Sequence, residues 1–145
     1  MQSRLNMAKT QPAAYHAMLG LEKYLETTQL TTSQKDLIKI RASQINKCAY
    51  CINMHTRDAR AHGETEQRIY LLNAWRETTL YTEEERTILA LTEEITLISI
   101  DSVSDETYQK AANLFGDVLL AQLIMAIISI NAWNRLGISL HMQPD

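Results

Sequence analysis

Helix-breaking residues are scarce in this chain, with four Gly and two Pro among 145 residues. Aromatic side chains are few as well, at 6%. A sandwich or barrel needs frequent turns, so this composition, rich in Ala, Leu, Ile, Glu, Gln and Thr, favours helices. Basic residues are not in excess: 14 Lys and Arg stand against 17 Asp and Glu, for a net charge of −3. That balance predicts no nucleic-acid partner. Long apolar runs are also missing. The longest, Val118 to Ile130, is interrupted by Gln122 and Ser129 and falls short of the ~20 residues that cross a bilayer. Met1 to Thr10 holds two basic residues with no apolar stretch behind them, unlike a secretory signal. No membrane partner is expected, and the chain is assigned to the cytoplasm. Two cysteines are too few for a disulfide scaffold. In a reducing compartment such a pair is more often redox-active or metal-binding than structural.

What is present reads as one domain over residues 1–145, long enough to bury a single core. Residues 1–12 are expected to form an arm ending at Gln11-Pro12. Ala14, Met18, Leu21 and Leu25 recur at helical spacing and predict a helix over residues 13–28. Thr31, Thr32 and Ser33 offer hydroxyl caps to a second helix over 33–45, closed near Asn46-Lys47 because Asn tolerates the left-handed conformation. A third helix is expected over 49–63, stopped at His62-Gly63, and a fourth over 64–75. Thr82 and Glu85 have capping-box spacing and open a fifth. Ser104 caps a sixth that ends near Leu114, before Gly116. The last, over 118–134, is apolar on nearly every side and predicts burial against other subunits. The remainder from Gly137 to Asp145 is expected to be a short extension.

The chemistry concentrates in Cys48, Cys51 and His55. On a helix these positions fall on one face, so two thiols able to close a disulfide lie one turn from an imidazole able to move their protons. Placed at a helix start, exposed N–H groups and the dipole favour a thiolate, and by position alone Cys48 is the more acidic. Three readings follow. The first is a buried structural pair. The second is a metal site, for which the motif supplies three ligands, so His62 or Asp58 would have to join. The third is redox catalysis, in which a thiolate attacks a peroxide oxygen and the resulting sulfenic acid condenses with the neighbouring thiol.

The run from Lys35 to Arg60, containing Ser43-Gln44-Ile45-Asn46-Lys47-Cys48-Ala49-Tyr50-Cys51 and His55-Thr56, closely resembles the core of the alkyl hydroperoxidase D (AhpD) family, within the carboxymuconolactone decarboxylase-like superfamily. The likeness continues through Tyr81 to Arg86 and ends at Asn131-Ala132-Trp133-Asn134-Arg135, covering roughly residues 15–140. It implies an all-α bundle of about six to seven helices, assembled as a homo-trimer or homo-hexamer. It also implies a thiol peroxidase acting on hydrogen peroxide or organic hydroperoxides without a cofactor or metal. By this resemblance Cys51 is the attacking cysteine, and Cys48 resolves it and exchanges with a dithiol reductant such as a lipoyl group on a partner protein. His55 works in a proton relay with a carboxylate twelve residues before the first cysteine.

Two positions depart from the family pattern. The relay carboxylate is Asp36 where the family has Glu, one methylene longer, and Tyr50 stands where the family peroxidase has His. Glu93 or Glu94 could supply a second relay carboxylate, the plainer reading being helix surface. Asn131 and Arg135 read as ties between helices or subunits, Trp133 as a core anchor, and His16, His62 and His141 as ordinary surface or capping residues. A non-catalytic oligomer whose CxxC senses redox state or stabilises the fold is the competing function. Decarboxylase-type acid/base chemistry, found elsewhere in the superfamily, does not need the CxxC.

Overall fold

The computed structural model describes Gln2 and residues 4–144, and every regular element among them is helical. The elements are α1 (Met7–Thr10), α2 (Pro12–Glu26), α3 (Thr32–Asn46), α4 (Ala49–Ala61), α5 (Glu66–Tyr70), a 3₁₀ helix (Leu72–Glu77), α6 (Glu83–Thr96) and α7 (Asp105–Ser139). The helix starts follow the expected cap chemistry. The Thr82 hydroxyl accepts from the Glu85 amide at 3.2 Å, and the Glu85 carboxylate accepts from the Thr82 amide at 2.9 Å. Thr31 and Gln34 make the same reciprocal pair at α3, and Ser104 caps α7. Such caps satisfy amides that have no partner inside the helix.

α3 and α6 form the spine, because each places side chains in both apolar clusters. Ile38, Ala42, Ile88 and Leu91 join Leu25 and the inner face of α7 in the larger cluster. Leu37, Ile40 and Leu89 join Ala59, Leu72, Trp75 and Tyr81 in the smaller. Each such aliphatic side chain contributes about 1.5–3 kcal/mol by leaving water.

Several boundaries differ from expectation. The arm contains α1, whose start is capped by the Asn6 side chain. The left-handed residue after α3 is Lys47, with φ 59°, and not Asn46. The helix read over 64–75 breaks at Leu71 into α5 and the 3₁₀ helix, which lets Leu72 and Trp75 both turn inward. α7 continues to Ser139, so Gly137 is helical and not part of a tail. Met1, Ser3 and Asp145, included in the expected arm and extension, lie outside the described residues.

α7 combines the two helices expected either side of Gly116, whose φ of 70° and ψ of 168° interrupt the helical geometry. That backbone is open to Gly and strained for other residues. By length and composition α7 could cross a membrane, with a window of mean hydropathy 1.9. Here it serves as a core helix: Leu120, Leu123, Ile127 and Ile130 are buried, and Ser129, Asn131 and Asn134 hydrogen-bond to other helices. It is not buried all round within one chain, since Val118 and Ile128 remain 63% and 44% exposed.

The expected helix ties are specific. The Asn46 amide donates to the side-chain oxygens of both Asn131 and Asn134 at 2.9 Å. Asn134 donates to the Ser43 hydroxyl at 2.9 Å, and Asn131 donates to Thr96 at 3.0 Å. Arg135 donates to the backbone and side-chain oxygens of Asn131. The asparagine bonds fasten α7 to α3 and to α6 where water is largely excluded, so a missing partner is costly; the Arg135 bonds stay within α7 and tie no second helix. Asn134→Ala is expected to lower the unfolding free energy by about 2–3 kcal/mol in urea denaturation. A loss below about 0.5 kcal/mol, the size of an ordinary surface change, would contradict the assigned role.

Candidate active site

The end of α3 determines where the cysteines sit. Cys48 N–H donates to the Ser43 carbonyl and Lys47 N–H to the Gln44 carbonyl, at 3.0 and 3.2 Å. This paired closure around a left-handed residue terminates one helix, and Cys48 then caps the next. The Cys48 sulfur accepts from the Cys51 amide at 3.4 Å. Cys48 and Cys51 are disulfide-bonded, with Cα atoms 5.3 Å apart, and both are buried. Gly137 of α7 packs against the bond. A Cβ there would lie 3.2 Å from the Cys48 sulfur and 3.4 Å from that of Cys51, so any side chain would press on the disulfide.

A cavity of about 300 Å³ reaches Cys51 and His55. Cys48 is not among its lining residues. Tyr15, Leu19, Tyr50, Met54, Trp133 and Met142 form its apolar wall, while Glu22, Lys39 and Asp58 supply charge. Tyr15 meets Trp133 edge-on, with ring centroids 5.8 Å apart. The Trp133 indole N–H is the one buried side-chain polar atom without a hydrogen-bond partner among the described residues. Glu22 is fixed at both oxygens, one 3.0 Å from the Lys39 ammonium and the other accepting from Ser129 at 3.2 Å. Its carboxylate therefore joins α2, α3 and α7 beside the cavity.

His55 is buried at 8% exposure, with Nδ1 3.9 Å from an Asp58 oxygen. Burial, reinforced by the Lys39 charge, lowers its pKa to about 4 against the pull of Asp58 and Glu22. The imidazole is therefore neutral at neutral pH; beside the disulfide it is a weak proton acceptor, and a Cys51 thiolate formed next to it in the reduced chain would offset burial and favour its protonated form.

Asp36 and Glu93, expected as relay carboxylates, are not brought to the cavity that holds Cys51 and His55. Asp36 does not line the cavity shared by Cys51 and His55. It hydrogen-bonds to His62 Nδ1 at 2.8 Å and faces a separate cavity with Ser33, Gly63 and Arg68. Burial raises its pKa, with His62 acting in the opposite direction. The helical register placed Asp36 on the correct element, but its side chain leaves on another face. His62, read as unmatched, is its partner. Glu93 is not solvated surface and lies away from the cavity. It accepts from Arg41 and Trp75 Nε1, both at 2.8 Å, and from Arg76. Burial alone would raise its pKa, but these bonds outweigh burial and lower it. Glu94 is likewise engaged, accepting from Ser104 and Thr107 at the start of α7. Glu22, Lys39, Tyr15 and Met142 were not foreseen, because no local motif marks them. Among the described residues no group of three His, Cys, Asp or Glu side chains is placed to hold a metal ion.

The architecture thus defines an all-helical domain with a thiol-disulfide pair at the head of a core helix. Comparison with known proteins gives that class a family. The carboxymuconolactone decarboxylase family model matches residues 12–94. A Bacillus subtilis protein without a characterised function, YdfG, is 42% identical over 140 residues, spanning 97% of this chain and 95% of the relative. The crystal structure of ATU0492 from Agrobacterium tumefaciens superposes with a TM-score of 0.96 at 36% identity, covering 99% of each chain. ATU0492 is a protein of unknown function, named as a candidate AhpD antioxidant defence protein. The debrominase Bmp8 shares the fold, with a TM-score of 0.81 at 18% identity, over 94% of this chain and 74% of its own. The chain belongs to the carboxymuconolactone decarboxylase family and has the AhpD-like fold.

The His55 environment predicts a pH-dependent stability. An unfolded histidine protonates near 6.5, whereas the folded one resists protonation until about 4. Between these values the unfolded chain binds more protons, so this residue costs stability as pH falls from 6.5 towards 4. The limiting loss is on the order of 3 kcal/mol. Urea melts of wild type and His55→Gln should therefore diverge as the solution is acidified, with wild type losing more stability. Parallel pH profiles would refute the neutral, buried assignment.

Proposed function

We propose that the chain is a thiol peroxidase that reduces hydrogen peroxide or organic hydroperoxides through a Cys48–Cys51 disulfide cycle. The observation that carries this reading is the cavity, which admits a small molecule to Cys51 and to the neutral base His55 but is not lined by Cys48. In the reduced chain His55 takes the Cys51 proton. The thiolate attacks the terminal peroxide oxygen, the S–O bond forms as the O–O bond breaks, and the alcohol or water leaves with a proton. The Cys48 sulfur then attacks the sulfenic acid, forming the S–S bond and releasing water. A dithiol reductant restores both thiols and is itself oxidised to a disulfide.

A lipoyl group on a carrier protein fits the reductant role, being a flexible dithiol on an arm. The exposed apolar residues of α7 favour contacts between subunits, which the homo-trimer or homo-hexamer implied by the family resemblance would supply, and the cytoplasm is the compartment in which such a cycle is recharged. The partly apolar wall accommodates an organic hydroperoxide, and an oxygen on the ligand could accept from the Trp133 N–H. The low exposure of the two cysteines, 1% and 3%, favours the competing reading of a structural or redox-sensing disulfide. A purely structural disulfide has no use for a cavity at Cys51, whereas a peroxidase or a redox sensor needs one.

With pre-reduced protein and a dithiol in excess, Cys51→Ser should lose peroxide turnover by at least about 100-fold. Cys48→Ser should instead stop after one turnover, with a sulfenic acid on Cys51 that dimedone traps. Unchanged turnover in Cys51→Ser would reject the mechanism and favour the structural reading.

A further inference from the structure

Breaking an O–O bond heterolytically leaves negative charge on the departing oxygen, and an alkoxide is a poor leaving group unless it is protonated. The two proton-carrying tasks at this site need different groups: a neutral base at Cys51 and an acid at the leaving oxygen. His55 suits the first. The positive charge it gains on taking the Cys51 proton is opposed by burial and by Lys39, and the opposition from Lys39 disappears if that lysine gives up its own proton in the same step. Lys39 is the only cationic side chain among the described residues lining the cavity. Its ammonium is held 3.0 Å from Glu22, whose other oxygen is fixed by Ser129. One turn further along α3, the Ser43 hydroxyl donates to the Lys39 carbonyl at 2.6 Å, so the backbone bearing this lysine belongs to the asparagine-clamped part of the helix.

We propose that Lys39 is the general acid of the peroxide step, donating a proton to the oxygen that leaves when Cys51 attacks, with Glu22 positioning its ammonium. The inference rests on the peroxidase reading above. The proton balance is complete. The Cys51 proton goes to His55, the S–O bond forms, the O–O bond breaks, and the Lys39 proton converts the alkoxide to an alcohol. Lys39 is left as an amine and His55 as an imidazolium. Proton return through the half-exposed Glu22 and Lys39 pair, whose side chains are 31% and 21% exposed, restores both. Glu22 thus replaces Asp36 as the carboxylate of the site, reaching it from α2.

The test compares leaving groups. Pre-reduced protein is mixed rapidly with cumene hydroperoxide, whose alkoxide needs a proton, or with peracetic acid, whose acetate does not. Lys39→Met should slow Cys51 oxidation by cumene hydroperoxide by about 100-fold, within the usual range for general-acid catalysis. Oxidation by peracetic acid should change only a few-fold, which also reports that the variant is folded and its thiolate intact. Lys39→Arg should show the same split, because a guanidinium keeps the charge but does not release its proton. Equal losses with both oxidants, no loss with either, or full recovery in Lys39→Arg would overturn the assignment. If the wild type reduces neither oxidant, the peroxidase reading fails and the Lys39 role falls with it. A wild type that reduces both, with variants that show no split, rejects Lys39 alone.

Discussion

The hydrogen bonds from the Asn46 side chain to Asn131 and Asn134 are the constraint on which the site depends. They hold the last turn of α3 against α7, with Ser43 tied to Asn134 in the same network. Because that turn is held, the chain closes α3 in a single left-handed residue and starts α4 immediately, which puts Cys48 at the cap and Cys51 on the first turn. The same helix α7 supplies Gly137, the flat surface against which the two sulfurs rest. One end of the clamp therefore orients the redox pair and the other presents the backbone that accommodates it.

Charge is partitioned in a way that separates scaffold from chemistry. Glu93 is saturated by Arg41, Trp75 and Arg76, and Arg68 bridges Glu64 and Glu85 at 2.9 and 2.6 Å. These partly buried ion pairs fix the 3₁₀ helix and the start of α6, where breaking one partner would strand the other. Asp36 and His62 fasten α3 to the end of α4 in the same manner. At the cysteine cavity His55 is neutral and has no short hydrogen bond among the described residues, while Glu22 and Lys39, paired with each other, remain partly open to water. In the proposed cycle these are the groups that exchange protons.

Much of this was readable from the chain. Thr31, Thr82 and Ser104 marked helix starts because capping is local chemistry, and Cys48, Cys51 and His55 were recognisable because a single helix fixes their relative direction. Asp36 and Glu93 show the limit of such reasoning: sequence spacing locates a residue on a helix but not the neighbour its side chain will meet. Glu22 and Lys39 meet only through the packing of α2 on α3 and α7, and nothing in either local sequence announces that contact. The break at Leu71 was hidden for a related reason, since burying both Leu72 and Trp75 is a demand of the tertiary core. Lys47 took the left-handed position because Asn46 was committed to the clamp, a competition invisible in propensities.

In the proposed cycle a hydroperoxide is reduced by Cys51, and the disulfide with Cys48 is the product of that event. This cycle is tested most directly by a quenched-flow single turnover of the pre-reduced wild-type protein with one equivalent of an organic hydroperoxide. Alcohol released and Cys48–Cys51 disulfide formed are followed on the same samples, the disulfide by peptide mass spectrometry. The account predicts equimolar alcohol and disulfide, with the alcohol appearing first and a Cys51 sulfenic acid filling the interval. Disulfide that forms no faster than in hydroperoxide-free controls, or alcohol released without loss of the two thiols, would contradict it.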